Sequence, residues 1–318
     1  MDQFTDRPLI SICVPAYKKP DYVARLLDSI AAQTYKRVEV IISDDTPDES
    51  VKIAIEPYKN QLDIKYYHNS PSLKSPANWN NALDKASGDL VQLLHQDDWL
   101  EGTGALAAYA DAFAANPDAD FVFCRNTAIE AGRDPIILQA LPGLLRDMAN
   151  RPNHILRANV IGPPSNTMVR ARVKTRYDER YIWLVDVDYY VRLLKTGYTY
   201  VYLDRHLVSI GLHEDQTTAF VRANDNIILK ENIWYARKLE AEAFSDVLIY
   251  DYYWRLLRNH GVRRIQDIVE SGVDAEEIRP VIRHMLRGQQ RLPLGFWKRG
   301  VVSKTGMMLS YWTRGRDI

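Results

Sequence analysis

In the first half of the chain, short apolar runs alternate with segments whose apolar residues recur at helical spacing. The runs are rich in β-branched and aromatic residues, which predicts strands, and they occupy residues 9–14, 38–42, 62–67 and 89–94. Residues 21–30, between the first two runs, keep the spacing of a helix. A strand, a helix and a strand in this order form a βαβ unit, whose crossover is nearly always right-handed. Both strand ends are therefore expected at one edge of a mostly parallel sheet.

A loop or a pair of acidic residues follows three of these runs at the point where each run ends. The loop begins with Pro15, Ala16 and Tyr17 after the first run, and the acidic pairs are Asp44 and Asp45 after the second and Asp97 and Asp98 after the fourth. Ligands bind at the carboxyl ends of the strands in open α/β sheets, and paired carboxylates there suit a hard divalent cation. The alternative is that Asp97 and Asp98 cap the next helix or face water.

A second candidate region lies at residues 182–198. Its apolar residues recur at helical spacing, which predicts a helix that begins at Asp186 and holds Asp188 in its first turn. The positive end of the helix dipole favours the ionised carboxylates. In that position Asp186 can cap the helix. A strand-like run at 198–203 precedes a polar turn that contains His213.

From about residue 222 the pattern changes to amphipathic helices, expected to pack on the first domain or on a second copy of the chain. We therefore predict an α/β domain over residues 1–220 and a helical region over 221–318. The tail mixes aromatic and apolar with basic residues, namely Leu292, Leu294, Phe296, Trp297, Tyr311 and Trp312 with Arg291, Lys298, Arg299, Lys304, Arg314 and Arg316. This mixture suits an interfacial anchor on an anionic membrane. The alternative is a helical appendage that buries the aromatic residues.

Composition narrows the choice of partners and compartment. Lysine plus arginine equal aspartate plus glutamate at 41 each, so the overall charge does not favour a nucleic-acid partner. Cys13 and Cys124 lie in apolar runs without ligand-type spacing, which predicts buried thiols in a reducing compartment. No signal-peptide pattern and no run of about 18 apolar residues is present. We expect a cytoplasmic protein, at most peripheral at the inner face of the membrane.

The segments SICVPAYKKPDYVARLLDSIAAQTYKRVEVIISDDTPDES and ANWNNALDKASGDLVQLLHQDDW carry a specific resemblance. They resemble the N-terminal half of family-two glycosyltransferases with the GT-A fold, strongly over residues 8–125 and more weakly to about 215. The resemblance implies an α/β fold whose mostly parallel sheet is flanked by helices. It also implies a nucleotide-diphospho-sugar donor, a divalent cation (Mn²⁺ or Mg²⁺) and inverting transfer to a saccharide or glycolipid acceptor. Such an enzyme would act in polysaccharide or glycolipid biosynthesis.

The same resemblance assigns expected roles to individual residues. Pro15, Ala16 and Tyr17 would border the nucleotide base, Asp45 would accept a hydrogen bond from it, and Asp44 and Asn78 would lie in the same nucleotide-sugar site. Asp97 would face the ribose or the metal, Asp98 would ligate the metal, and His213 would lie beside the diphosphate or metal. Asp186 would be the catalytic base, and Ser165 and Asn166 would border the acceptor cleft. The chain departs from the commonest family pattern at His95, where many members have a further aspartate.

Three other functions would each leave a different pattern in the sequence. A sugar-nucleotide nucleotidyltransferase should carry a glycine-rich, basic phosphate loop after the first strand, but PAYKKPD contains no glycine. A binding relative that has lost turnover would lack some of the matching carboxylates. The run Gly102-Thr103-Gly104-Ala105-Leu106-Ala107 fits a dinucleotide fingerprint, but its glycines do not directly follow a strand.

Overall fold

A computed structural model describes residues 7–138, 142–214, 216–293, 295 and 299–314. The strands are β1 (Ile10–Ala16), β2 (Val38–Asp44), β3 (Asp63–His68), β4 (Leu90–Leu93), β5 (Trp99–Leu100), β6 (Phe121–Glu130), β7 (Ile136–Leu138), β8 (Thr167–Arg170) and β9 (Tyr200–Leu212). The α-helices are α1 (Pro20–Ala31), α2 (Ser50–Ile55), α3 (Ala77–Asp84), α4 (Ala105–Ala115), α5 (Pro142–Asn150), α6 (Val185–Lys195), α7 (Thr217–Ala223), α8 (Asp225–Lys238), α9 (Val247–Asn259), α10 (Ile265–Val269), α11 (Pro280–Gln290) and α12 (Gly300–Thr313).

The strands form one sheet in the order β3-β2-β1-β4-β8-β6-β9-β5, and β7 pairs with β6. Strands β3, β2, β1 and β4 are parallel neighbours, and so are β6 and β9. Strand β8 is antiparallel to both β4 and β6, and β5 is antiparallel to β9. The α/β fold with a mostly parallel sheet flanked by helices is therefore confirmed, together with a helical C-terminal region.

The centre of the sheet is apolar on both faces, as expected for parallel strands covered by helices. Every residue of β1 and β4 is buried, and α1 turns one apolar face toward them. Gly88, just before β4, allows the backbones to approach closely. A Cβ atom at Gly88 would lie 2.6 Å from the Ser11 hydroxyl and 2.7 Å from the Leu9 carbonyl oxygen. Both predicted thiols, Cys13 and Cys124, are buried and free, and burial raises the pKa of Cys124 to about 11.

Several elements differ in extent from what the local pattern predicts. The composition of residues 130–145, with Gly132, Pro135, Pro142 and Gly143, predicts a loop, but β7 and the start of α5 lie within them. The spacing of residues 76–87 predicts a helix, and the observed α3 is shorter and follows Pro76. Strand β9 continues to Leu212, well past the predicted end at 203, because it pairs along the length of β6. For β9, pairing with a strand distant in sequence therefore overrides local propensity.

Contacts between Cα atoms divide the chain into two compact units. Unit 1 comprises Met1–Ala149, Val160–Arg180 and Val185–Glu214, and unit 2 comprises Asn150–Asn159, Tyr181–Leu184 and Asp215–Ile318. Unit 1 contains the sheet. Unit 2 is helical and also includes two short segments from before residue 220, which the sequence pattern did not separate. The predicted domain boundary at residue 220 stays a prediction.

Unit 2 has its own buried core. Tyr250, Tyr253 and Trp254 on α9 are at most 1% exposed. The Glu231 carboxylate on α8 accepts hydrogen bonds from the amides of Ile182, Trp183 and Leu184 at 2.7–2.9 Å, which attaches that short segment to the helices. Among the described residues, no helix combines the length and the hydropathy needed to cross a bilayer.

The C-terminal tail is divided between protein contacts and solvent. The Tyr311 hydroxyl donates to the Ser245 carbonyl at 2.5 Å, and the Arg314 guanidinium lies 3.5 Å from the centre of the Tyr311 ring. The Trp312 side chain is 70% exposed. Tyr311 thus contacts the protein whereas Trp312 is exposed, so neither the membrane anchor nor the packed appendage accounts for both residues. Leu294, Phe296, Trp297, Lys298 and Arg316 of the tail lie outside the described residues.

Candidate functional site

The predicted carboxylate pair forms a tight turn directly after β4. The Asp98 amide donates to the His95 carbonyl at 3.0 Å, which closes this turn at the carboxyl edge of the parallel strands. Asp98 points inward and is only 2% exposed. Its Oδ2 accepts from the Ser165 hydroxyl at 2.5 Å and its Oδ1 from the Gly211 amide at 3.2 Å. Burial, together with the charge of Asp97, raises the pKa of Asp98 well above its usual value.

Gly211 on β9 makes this arrangement possible. A Cβ atom at Gly211 would lie 2.4 Å from the Asp97 carbonyl oxygen, closer than any side chain can be placed without moving the backbone. Only glycine therefore lets β9 lie against the turn while its amide reaches Asp98. The sequence pattern predicts no role for this glycine, because the strand-like run ends at residue 203 and only pairing with β6 places Gly211 in a strand.

Asp97 points to a different set of neighbours and is half-buried. Its Oδ2 lies 3.0 Å from Nε2 of His213, which follows β9, and the Arg25 guanidinium donates to its carbonyl oxygen at 2.6 Å. The His213 ring packs on Tyr22 with centroids 5.1 Å apart. The structure thus brings together Asp97, Asp98 and His213, which were predicted to form one site. His213 follows Asp97 by 116 positions in the sequence.

His95 is the fourth polar side chain of this cluster. Its Nδ1 lies 4.0 Å from Oδ2 of Asp98, and its ring packs on Trp79 with centroids 4.6 Å apart. Burial lowers the pKa of His95, which favours the neutral imidazole, a metal ligand. Within the part of the chain that the structure describes, its buried Nε2 has no hydrogen-bond partner.

These donors fit a divalent cation. One ligand atom each from His95, Asp97 and Asp98 lie within 4.8 Å of one another, a spacing that a single ion can span. Carboxylate oxygens suit Mg²⁺ and Mn²⁺, and imidazole nitrogen is a ligand for many transition metals. The set offers few protein ligands, so a bound ion would keep positions for water or phosphate oxygens.

Two hydrogen bonds of the Gln96 side chain, called here the Gln96 clasp, join the loop after β1 to the carboxylate turn. The Tyr17 amide donates to Oε1 of Gln96 at 2.9 Å, and Nε2 of Gln96 donates to the Tyr17 carbonyl at 3.1 Å. Tyr17 itself is 51% exposed, whereas Pro15 and Ala16 are buried at the end of β1. The clasp holds an exposed aromatic ring beside the carboxylates. Sequence reasoning missed Gln96, since nothing in its local pattern marks it.

The predicted nucleotide-site residues Asp44, Asp45 and Asn78 form a buried network at the same edge. The Asp44 carboxylate accepts from the Thr46 amide at 2.8 Å and from the Tyr66 hydroxyl at 2.7 Å. Asp45 accepts from Asn69 at 2.9 Å and from the amides of residues 73 and 74 at 3.0 and 2.7 Å. Asn78 donates to the Ala16 carbonyl at 3.3 Å. These residues fix the loops that border the edge.

Asp186 lies in the first turn of α6, as predicted, and its Oδ1 accepts from the Val187 amide at 2.7 Å. Asp188, in the same turn, is buried and accepts from Arg192 at 2.7 Å, which makes it a structural residue. Packed rings run from the His95 side of the site to α6, with Trp79 against Tyr177 at 5.3 Å and Tyr177 against Tyr189 at 4.3 Å.

The segment that precedes β8 is hydrogen-bonded to the carboxylate turn through Ser165. Ser165 is fully buried, and its hydroxyl both donates to Asp98 and accepts from the His95 amide at 3.1 Å. Asn166 is also buried, and its Nδ2 donates to the Ile161 carbonyl at 3.1 Å. Both residues were predicted to border an acceptor cleft, and that role stays a prediction.

Comparison with known proteins places this geometry in a family. The family model for glycosyl transferase family 2 matches residues 11–173, a little more than half of the chain. Uncharacterized protein MT1568 of Mycobacterium tuberculosis is 29% identical over 251 residues, which cover 71% of this chain and 75% of that protein. GalNAc(5)-diNAcBac-PP-undecaprenol beta-1,3-glucosyltransferase of Campylobacter jejuni is 35% identical over 102 residues, 31% of this chain. The matched region spans only 33% of that enzyme's length.

Solved structures agree with this comparison at the level of the fold. TarS 1–349 of Staphylococcus aureus in complex with UDP-GlcNAc aligns with a TM-score of 0.60 and 16% identity, covering 96% of this chain and 90% of that one. The mannosyltransferase PcManGT of Pyrobaculum calidifontis, in complex with GDP-Man and Mn²⁺, aligns with a TM-score of 0.56 and 15% identity, covering 97% and 87%. Because the family model matches more than half of the chain, the chain belongs to glycosyl transferase family 2.

Proposed function

We propose that this glycosyltransferase moves a sugar from a nucleotide-diphosphate donor to an acceptor hydroxyl, with inversion at the anomeric carbon and with Mn²⁺ or Mg²⁺. The observation that carries the proposal is the cluster of His95, Asp97, Asp98 and His213 at the carboxyl edge of the sheet. The relatives support the donor class, since one solved structure holds UDP-GlcNAc and another GDP-Man with Mn²⁺.

Asp97, Asp98 and His213, with His95, are the residues that would hold the cation. A bound Mn²⁺ or Mg²⁺ supplies positive charge that stabilises the departing diphosphate. Asp97 offers the more accessible carboxylate, because both oxygens of Asp98 accept hydrogen bonds from Ser165 and Gly211. Asp98 then contributes mainly by fixing the turn beside the ion.

Pro15, Ala16, Tyr17, Asp44, Asp45 and Asn78 are proposed to form the nucleotide subsite. The exposed Tyr17 ring offers a flat apolar face to a nucleobase, and Gln96 holds its backbone in place. The buried network around Asp45 keeps the neighbouring loops in one conformation, so little ordering remains to be done when a donor binds.

Asp186 is proposed as the general base that takes the proton from the acceptor hydroxyl as it attacks the anomeric carbon. Its position in the first turn of α6 favours the ionised carboxylate that this role requires. The acceptor is proposed to be a saccharide or glycolipid, in keeping with the Campylobacter relative, whose name describes an undecaprenol-linked saccharide.

Donor assays test the proposal. UDP-GlcNAc and GDP-mannose are each incubated with the full chain and Mn²⁺, Mg²⁺ or EDTA, and release of the nucleoside diphosphate is measured. We expect release that requires the cation and falls at least about a hundredfold in Asp97→Asn, with NMR of the transferred sugar reporting inversion. Asp118→Asn is the control, since Asp118 is exposed and away from the cluster.

Two results would contradict the proposal. Release of pyrophosphate from a nucleoside triphosphate and a sugar 1-phosphate would indicate a nucleotidyltransferase, the alternative that shares a similar fold. Failure of uridine, guanosine and thymidine diphosphates to bind in calorimetry, with and without Mn²⁺, would indicate a relative without turnover.

A further inference from the structure

The helix α12 in unit 2 has an inverted distribution of polar and apolar side chains. The face that packs on the protein is small and polar, with Ser303, Gly306 and Ser310 buried beside Met307. The opposite face exposes large apolar side chains beside Thr305: Val301 is 82% exposed, Leu309 57% and Trp312 70%. Surface helices in water show the reverse arrangement. The outer face of α12 is therefore suited to an apolar environment.

The small inner face is closely packed and specific. Ser303 accepts from the Trp254 indole at 3.0 Å, and the Ser310 hydroxyl lies 2.7 Å from that of Tyr250. A Cβ atom at Gly288 on α11 would lie 2.8 Å from the Ser310 hydroxyl. Since these contacts fix which side of α12 faces the protein, rotation of the helix cannot bury the exposed apolar residues.

The charge of the C-terminal tail indicates which environment the outer face of α12 meets. Residues 278–316 contain nine lysines and arginines and no acidic residue, although the chain as a whole has 41 of each sign. Arg299 and Arg314 stand at the two ends of α12, whereas Lys304 within it forms an ion pair with Asp251 at 3.2 Å. Basic residues beside exposed tryptophan and aliphatic side chains match an anionic bilayer surface, which attracts the charges and takes up the apolar groups.

We propose that the outer face of α12, defined by Val301, Leu309 and Trp312 with Arg299 and Arg314, docks on an anionic lipid bilayer. The helix lies in the plane of the interface, with its apolar side chains among the acyl chains and its flanking guanidinium groups at the phosphates. This assignment is independent of the catalytic proposal, because it concerns unit 2 and needs no donor.

Vesicle co-sedimentation of the full chain tests the proposal. We expect binding to phosphatidylcholine vesicles that contain phosphatidylglycerol, and little binding to phosphatidylcholine alone. Trp312→Ala should weaken binding by about tenfold through lost apolar burial. Arg299→Gln and Arg314→Gln should each weaken it by about fivefold. The charge contribution should vanish near 1 M salt, where the Debye length is about 3 Å.

Matched controls distinguish binding through the outer face of α12 from non-specific adsorption to vesicles. Phe220→Ala removes another exposed aromatic ring of unit 2, and Arg205→Gln removes an exposed charge of unit 1; both should leave binding unchanged. Thermal unfolding of the Trp312→Ala, Arg299→Gln, Phe220→Ala and Arg205→Gln variants should match that of the parent chain, because those side chains are exposed. Arg314 is half-buried and packs on the Tyr311 ring, so Arg314→Gln should unfold at a slightly lower temperature. Donor hydrolysis without vesicles should also be unchanged, so failure of catalysis and failure of docking are distinguished.

Three results would overturn the membrane assignment. One is equal binding to neutral and anionic vesicles in all variants. Another is binding to heparin but not to vesicles, with Trp312→Ala without effect, which would indicate a soluble polyanion. The third is a dimer in solution that Trp312→Ala dissociates in the absence of lipid binding, which would assign this face to a second copy of the chain.

Discussion

Adjacent residues in the carboxylate turn have different surroundings. Asp98 is enclosed by Ser165 and Gly211, whereas Asp97 is turned toward His213 and solvent. The sequence placed both aspartates at a ligand-binding edge, but it could not tell which of them faces inward. That distinction depends on Gly211 of β9 and on Ser165 before β8, which lie 113 and 67 positions away from Asp98, respectively.

Asp186→Asn tests the proposed base at the scale of a single residue. The amide is isosteric but cannot accept a proton, so kcat for transfer should fall by about 10²- to 10⁴-fold while donor affinity is retained. Steady-state kinetics and calorimetry with the donor measure the two effects. A variant that binds donor and keeps full transfer would exclude Asp186 from this role.

Gln96→Ala tests the clasp between the β1 loop and the carboxylate turn. Loss of two hydrogen bonds to the Tyr17 backbone should raise KM for the donor by about five- to tenfold, with a smaller change in kcat. Gln96→Glu keeps the acceptor for the Tyr17 amide but loses the donor, so an intermediate KM is expected. An unchanged KM in both variants would show that the loop holds its position without Gln96. Gln61→Ala, at an exposed position, serves as the control.

At the scale of elements, one strand completes the site. Strand β9 is longer than its local pattern predicts, and its far end carries both Gly211 and the approach to His213. The extension is stabilised by parallel pairing with β6 as far as Glu130 and Leu212. The polar turn that contains His213 therefore begins where β9 ends, and only the pairing of β9 with β6 determines where that end lies.

Gly211→Ala should move β9 away from the turn. The added methyl group would lie 2.4 Å from the Asp97 carbonyl oxygen, so we expect a loss of about 1–3 kcal/mol in unfolding free energy. Urea denaturation measures the loss, and donor assays should show a larger effect on activity than on stability. Gly143→Ala is the matched control, because a Cβ atom there meets nothing within 4 Å. Equal stability of the two variants would contradict the expectation.

Glu39 links three strands and gives the sheet a pH-dependent stability. Although burial opposes its ionisation, hydrogen bonds from Lys65, Ser11 and Ser87 lower the pKa of Glu39 to about 2. A carboxyl whose pKa is lower in the folded chain stabilises it above the unfolded pKa of about 4.5, and this stability is lost as the pH falls toward 2.

The contribution of Glu39 should be about 2–3 kcal/mol at neutral pH. We expect Glu39→Gln to lower the melting temperature at pH 7 and to reduce the further loss between pH 4.5 and 2. Calorimetric scans across this range measure both effects, with Asp118→Asn as the control. Parallel pH profiles for the parent chain and Glu39→Gln would contradict this attribution.

At the scale of the whole molecule, donor and cation should stabilise the folded chain by linkage. A ligand at a hundredfold excess over its Kd adds about 2.7 kcal/mol to the unfolding free energy. We expect UDP-GlcNAc or GDP-mannose to raise the melting temperature more with Mn²⁺ than without it, and Asp97→Asn to abolish that difference. A cation effect that survives Asp97→Asn would place the metal elsewhere.

Much of the fold and part of the site followed from local pattern. The apolar runs predicted the strands around β1, β2 and β4, and the handedness of βαβ units placed their polar ends at one edge. Spacing likewise predicted α6 with Asp186 in its first turn. These features depend on residues close in the sequence, where periodicity of 2.0 or 3.6 carries the information.

Local pattern was sufficient for strands β1 to β4, helices α1 and α6 and the acidic residues that follow the strands, because each depends on neighbouring positions. Tertiary structure alone decided the length of β9, the inward turn of Asp98, the Gln96 clasp and the exposure of Trp312 on α12. Each of these depends on packing or hydrogen bonding between segments far apart along the chain, and local periodicity does not encode those partners.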